Sequence, residues 1–156
     1  MTATQPDIET VLTRELIALE EPPAEKDACI EFLLDRAVET DRVTDREAAL
    51  EALFQREEEA TTGVGKGIGI PHAKTDAVSR PTIVFARSDE GIDFDAMDGE
   101  PATLLFMLLV PEEGGEEHLA LLSSLSRALM HDDVRERLRE ADSKAAIEDT
   151  VTEAIA

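Results

Sequence analysis

The sequence predicts an α/β domain: a mixed, mostly parallel sheet of about five strands flanked by helices on both faces. Three observations predict it. TLLFMLLV, residues 103–110, is an unbroken apolar run of strand length, as expected for a strand buried on both faces. Apolar residues recur at helical spacing both before and after that run. The chain of 156 residues, 42% hydrophobic, is long enough to bury one core but not two. Residues 1–156 are therefore expected to form a single domain, with no internal repeat and no linker.

In chain order, residues 11–19 carry Leu16, Ile17 and Leu19 and read as a first strand. Pro22 and Pro23 end it and introduce a helix over 24–39, with Ala28, Phe32, Leu33 and Ala37 on one face. Cys29, the lone cysteine, falls on that face and reads as a small core residue rather than a reactive thiol. Thr44-Asp45-Arg46-Glu47 reads as a capping box with Thr44 at the N-cap. It opens a second helix, bearing Ala49, Leu50, Leu53 and Phe54, that ends near Arg56. Glu57, Glu58 and Glu59 then read as a solvated acidic run ending the helix, with Glu57 adjacent to the arginine and able to orient it. PTIVFAR, 81–87, is a strand rich in β-branched residues. Residues 92–98 alternate weakly up to Asp98-Gly99, a hairpin signal. A helix from Gly115 carries Leu119, Leu122, Leu125 and Leu129, and two short amphipathic helices follow over 133–140 and 143–155.

The charge is lopsided: 15 basic residues against 36 acidic ones leave −21. Such a field repels nucleic acid and anionic membranes, whose phosphates need lysine and arginine for neutralisation. The acids are spread along the periodic segments rather than gathered in a tail, so a folded domain with an acidic surface is expected. Its self-repulsion suits a high-salt cytoplasm, where charges are screened over a few ångströms. A thermal midpoint indifferent to molar KCl would sink that idea. No apolar run approaches the roughly 20 residues of a membrane helix. Residues 1–10 lack the basic and apolar regions of a secretory signal, so a cytoplasmic location is expected.

One stretch stands apart: TTGVGKGIGIPHAKTD, with Gly63, Gly65, Gly67 and Gly69 at alternate positions before Pro71, His72 and Lys74. It is not a nucleotide loop. A Walker spacing through Gly65-Lys66 needs glycine at Ala60 and a hydroxyl at Gly67. The dinucleotide fingerprint fails at Ile68 or Ile70. Three histidines, His72, His118 and His131, form no helical metal pair, and one cysteine cannot build a zinc site, so neither metal nor cofactor is expected. Ser123, Ser124 and Ser126 lie in a leucine-rich helix without a nucleophile elbow. What survives is a histidine nucleophile. A neutral imidazole can take a phosphoryl group on one nitrogen while a hydrogen bond holds the other. The glycines could turn backbone N–H groups toward the added charge, and Lys74 brings a cation. A solvated loop histidine is the plainer alternative.

GVGKGIGIPHAK, preceded by REEEATTG, resembles the phosphorylation-site motif of enzyme IIA domains of the fructose–mannitol type, from the sugar phosphotransferase system. Arg56 stands sixteen positions before His72 (72 − 56), as in that family, and Glu117-His118-Leu119 fits its second histidine at the start of a leucine-rich helix. The likeness runs from about Ile8 to the end of the chain. It implies that His72 is phosphorylated by phospho-HPr and passes the group to a cysteine of an enzyme IIB, which works with a membrane permease IIC in sugar uptake. Fructose is slightly favoured over mannitol by the motif's spelling. His118 and Arg56 become the expected charge partners of the phosphoryl oxygens, and Thr62, Gly63, Gly65, Gly67 and Lys74 the loop around them. Gly69 departs from the family's commoner alanine. The alternative is a regulatory module of the nitrogen-related kind, which shares the fold and the histidine but acts by binding.

Overall fold

The computed structural model describes residues 11–59, 63–96, 98–112 and 115–155, with the side chains at 64 and 115–119 outside the described set. In these residues a turn of 3-10 helix at Arg14–Leu16 precedes β1 (Ile17–Ala18), α1 (Lys26–Glu39) and α2 (Arg46–Glu59). Then come β2 (Gly63–Gly65), β3 (Ile68–Gly69), β4 (His72–Lys74), β5 (Thr82–Ile92) and β6 (Ala102–Val110). Three helices close the chain: α3 (Gly115–Leu129), α4 (Asp132–Glu140) and α5 (Lys144–Ile155).

The sheet is organised around β6, in the order β1-β5-β6-β3-β2, with β4 also paired to β6. The pairings β1–β5, β3–β6 and β4–β6 are parallel; β5–β6 and β2–β3 are antiparallel. β3 and β4 share one register on β6, Ile68 opposite Leu104 and His72 opposite Leu108. They are thus a single line broken at Ile70 and Pro71, and the sheet has the five positions and mixed character the sequence predicts. Leu104 through Val110 are each fully buried. Side chains alternate between faces along a strand, so both faces of β6 are covered. α1 packs on β5, β6 and α2; α2 lies along β4; α3 and α4 meet β6, and α5 meets β1. Phe85 and Phe106 meet edge to face across the β5–β6 pair, with centroids 5.0 Å apart. Cys29 lies in this core, its thiol pKa pushed up to about 12 by burial and then by Glu21. No helix of the described residues is long and apolar enough to cross a membrane.

Four local expectations need correction. The first strand shrinks to Ile17–Ala18, because a 3-10 turn, Leu16 N–H to the Thr13 carbonyl at 3.0 Å, takes up the residues before it. The N-cap of α2 is Asp45, whose Oδ1 accepts from the Ala48 N–H at 3.1 Å. Thr44 is engaged elsewhere: its N–H and hydroxyl both donate to the Ala77 carbonyl, at 2.7 and 3.0 Å, beside a bridge between Val43 and Val78. α2 ends at Glu59 with the acidic run in its last turn, but Glu57 in that run is out of solvent rather than solvated. Finally, the Gly99 turn, its N–H on the Ala96 carbonyl at 3.0 Å, lies within a long connection from β5 to β6, and β5 extends to Ile92.

Candidate functional site

His72 sits at the start of β4, immediately after the break in the β3–β4 line. Pro71 has no N–H to give the ladder, but its carbonyl accepts from Leu108 N–H at 3.0 Å, so the strand resumes in register. The histidine is only 9% exposed, and its Nδ1 lies 2.7 Å from the Ile70 carbonyl. A carbonyl oxygen can only accept. Nδ1 must therefore carry the proton, which puts the ring's lone pair on Nε2. Burial holds the His72 pKa below the ordinary imidazole value, the Ile70 bond opposes that, the Arg56 charge lowers it and the Glu57 charge raises it. The ring is neutral at neutral pH and its tautomer is fixed. The histidine is thus a buried, held ring with its lone pair on Nε2, not a solvated loop histidine.

Arg56 and Glu57 stand in the last turn of α2, which lies along β4, and the charges of both act on this ring. The Glu57 side chain is 8% exposed and ion-paired at 2.7 Å with the ammonium of Lys26, the first residue of α1. Lys26 in turn sits 5.4 Å from the Phe94 ring centroid and 3.9 Å from the exposed Asp95 carboxylate. The expected solvated run thus contains one buried carboxylate. Lys26 was not singled out by sequence reasoning. One signal existed: only four lysines, at 26, 66, 74 and 144, stand against 36 acids.

Lys74, two residues beyond His72, shares its face of the strand and is exposed. His118 lies in the first turn of α3, with its side chain outside the described residues, as Thr62 is entirely. The other loop residues go elsewhere. Lys66 and Gly67, at φ 59° and 80°, form the two-residue turn between β2 and β3. The Gly67 carbonyl accepts from the N–H groups of Thr103 and Leu104, at 2.8 and 3.0 Å. With Ile68 opposite Leu104 and His72 opposite Leu108, Gly67 is five residues from His72 along the strand line. At about 3.3 Å per residue that is roughly 16 Å. Gly65 and Gly67 therefore shape the far end of the line, not the surroundings of the imidazole.

What the glycines admit is protein. A Cβ at Gly67 would lie 2.7 Å from an Arg139 guanidinium nitrogen, and one at Gly65 3.0 Å from the Asp98 carboxylate. A Cβ at Gly63 would lie 2.9 Å from Phe94 Cβ and 3.1 Å from its carbonyl oxygen, and one at Gly69 3.5 Å from the Phe94 ring. Phe94, fully buried, is wedged against the hairpin on one side and carries Lys26 on the other.

A family model described as phosphoenolpyruvate-dependent sugar phosphotransferase system, EIIA 2, matches residues 10–154. Over 149 residues, 96% of this chain and 97% of the relative, the chain is 67% identical to a PTS system fructose-specific EIIA component of Haloferax volcanii. Among solved structures, nitrogen regulatory protein IIA-Ntr from Neisseria meningitidis superposes with a TM-score of 0.85 at 33% identity, over 92% of this chain and 97% of that one. The mannitol enzyme IIA of Escherichia coli, in complex with phosphorylated enzyme IIB, superposes with a TM-score of 0.79 at 25% identity, over 92% and 99%.

Proposed function

The chain belongs to the EIIA 2 family of the phosphoenolpyruvate-dependent sugar phosphotransferase system, and on that premise we propose that it is a phosphocarrier acting through His72. The group arrives from the phosphohistidine of HPr. Nε2 of His72 attacks phosphorus, the donor N–P bond breaks, and its electron pair returns to the donor ring. Nδ1 keeps its proton on the Ile70 carbonyl throughout, so no proton need leave the ring. In the second step a cysteine thiolate of enzyme IIB attacks, and the N–P pair returns to Nε2. Arg56, with His118 and Lys74 as further donors, stabilises the phosphoryl oxygens; such transfer depends on positioning and fixed charge. Enzyme IIB, with its permease IIC, then delivers the group to an incoming sugar, fructose by the likeness to the Haloferax protein. The site works in the cytoplasm, and the acidic surface is fitted to high salt there.

The observation that carries this reading is the 2.7 Å contact of His72 Nδ1 with Ile70, which leaves Nε2 as the reactive nitrogen. Incubation with enzyme I, HPr and phosphoenolpyruvate, followed by mass measurement, tests it. The wild type gains one acid-labile phosphoryl group and His72→Ala none; a labelled variant would show that another residue is the acceptor. A regulatory role is the second reading, favoured by the overlay with IIA-Ntr. A deletion strain that grows normally on fructose as sole carbon source would support regulation over transport.

A further inference from the structure

We propose that Lys26 is a positioning residue for the acceptor site: its ammonium, seated beside the Phe94 ring, clamps the buried Glu57 carboxylate and cancels its charge next to His72. The proposal rests on the phosphocarrier reading and asks what that chemistry requires of its neighbours. Phosphorylation adds between one and two negative charges to the imidazole, roughly as for other phosphorylated side chains. A buried carboxylate beside that group opposes it, and Glu57 is such a carboxylate, at 8% exposure. Its charge reaches the ring, since it pulls the histidine's proton affinity upward while Arg56 pushes it down.

Lys26 answers the problem geometrically. It lies 2.7 Å from Glu57 and is itself only 20% exposed, so solvent screens the pair weakly. Asp95, at 3.9 Å and 78% exposed, competes little for it. The ammonium is held in place by Phe94, which is fixed by burial and by the glycines of the β2–β3 hairpin. Gly63 and Gly69 thus serve the acceptor site at one remove, by admitting the ring that supports Lys26. Among the described residues, the charged groups that bear on His72 are then Arg56 and Glu57 from α2, Lys74 on its own strand, and Lys26 from α1 with Asp95 behind it. His118, on the first turn of α3, completes the set by sequence.

The test is to titrate His72 by NMR and to time phosphoryl acceptance from phospho-HPr in the wild type, Lys26→Met, Lys26→Arg, Glu57→Gln and the double variant Lys26→Met with Glu57→Gln. Lys26→Met exposes His72 to an uncancelled carboxylate. Its titration midpoint should rise by on the order of one pH unit, and acceptance should slow about tenfold. Lys26→Arg should restore both to within about twofold of wild type, as should the double variant, which has no charge left to cancel. Glu57→Gln, nearly isosteric, should lower the midpoint, and it keeps the inference open to refutation if Lys26→Met fails to fold. An unmoved midpoint in Lys26→Met and in Glu57→Gln overturns the proposal. So does a double variant as impaired as Lys26→Met, because the contact would then be structural only. The titration needs no phosphoryl donor. Failure of the phosphocarrier reading, seen as label surviving in His72→Ala, is therefore distinguishable from failure of this one.

Discussion

Residues 63–69 form the β2–β3 hairpin, residues 70–74 lead into β4, and β3 and β4 both pair with β6, yet the two segments are specified by opposite means. The first is defined by side chains it lacks. Its turn needs positive φ at Lys66 and Gly67, and its strands need room for Phe94. The second is defined by one side chain that is buried, bonded and tuned, His72 on the Ile70 carbonyl. A glycine-rich run before a histidine invites one explanation for both, a loop wrapped around a phosphate. The register separates them: the turn is roughly 16 Å from the imidazole at ordinary strand rise. Glycine density therefore reports close approach, and only the partner's position tells whether that approach is to ligand or to protein.

The sharpest way to break this division is Gly63→Val. A Cβ alone would lie 2.9 Å from Phe94 Cβ and 3.1 Å from its backbone oxygen, and backbone cannot step aside as a flexible tip can. Overpacking of this kind costs about 3 kcal/mol at the upper end of its usual range. That should appear in urea melts as a lowered midpoint with unchanged slope. A loss below about 0.5 kcal/mol, within the range of plain surface substitutions, would mean that Phe94 yields and that Gly63 is not there for packing.

The acceptor end can be tested through pH. His72 titrates below its ordinary value in the folded chain, chiefly because it is buried. Below the unfolded value of about 6.5, the unfolded chain takes up a proton that the folded one does not. Stability therefore falls as the pH drops from there toward the lowered folded value, and the loss stops growing below it. His72→Gln removes this contribution while every other group is shared. The stability of wild type relative to the variant should thus decline between pH 7 and pH 5, by at most about 1.4 kcal/mol per pH unit. A constant difference would mean that His72 titrates in the fold as it does in the open chain.

How much of this could be read in the sequence follows from the range of each interaction. β6 was legible because burial on both faces writes an unbroken apolar run, and α1 and α2 because their faces repeat at helical spacing. Motif spacing singles out His72 and Arg56 as the proposed acceptor and its charge partner. The cap of α2 was missed by one residue because Thr44 is claimed by Ala77, a distant partner that local patterning cannot see. The glycines' placement is hidden from the sequence for the same reason: which end of β6 they face depends on a register set across the sheet. Glu57 and Lys26 look like ordinary surface charges until α1 and α2 are packed together.

The smallest expected effect probes the hairpin end without touching the acceptor end. Lys66 holds φ 59°, a conformation costly for a side chain with a Cβ and tolerated best by glycine and asparagine. Its amide donates to the Asp98 carboxylate at 2.9 Å and its carbonyl accepts from Arg139 at 3.1 Å, so both turn contacts belong to the backbone. Lys66→Asn keeps them and relieves the strain, giving the Asn-Gly pair that this turn type prefers. It should add about 0.5 kcal/mol, a rise in midpoint of roughly 1–2 °C for a domain of this size. Phosphoryl acceptance at His72 should not change. If Lys66→Asn slows acceptance more than about twofold while the fold gains stability, then the lysine's charge is felt at the imidazole, and the two ends of the run are not independent after all.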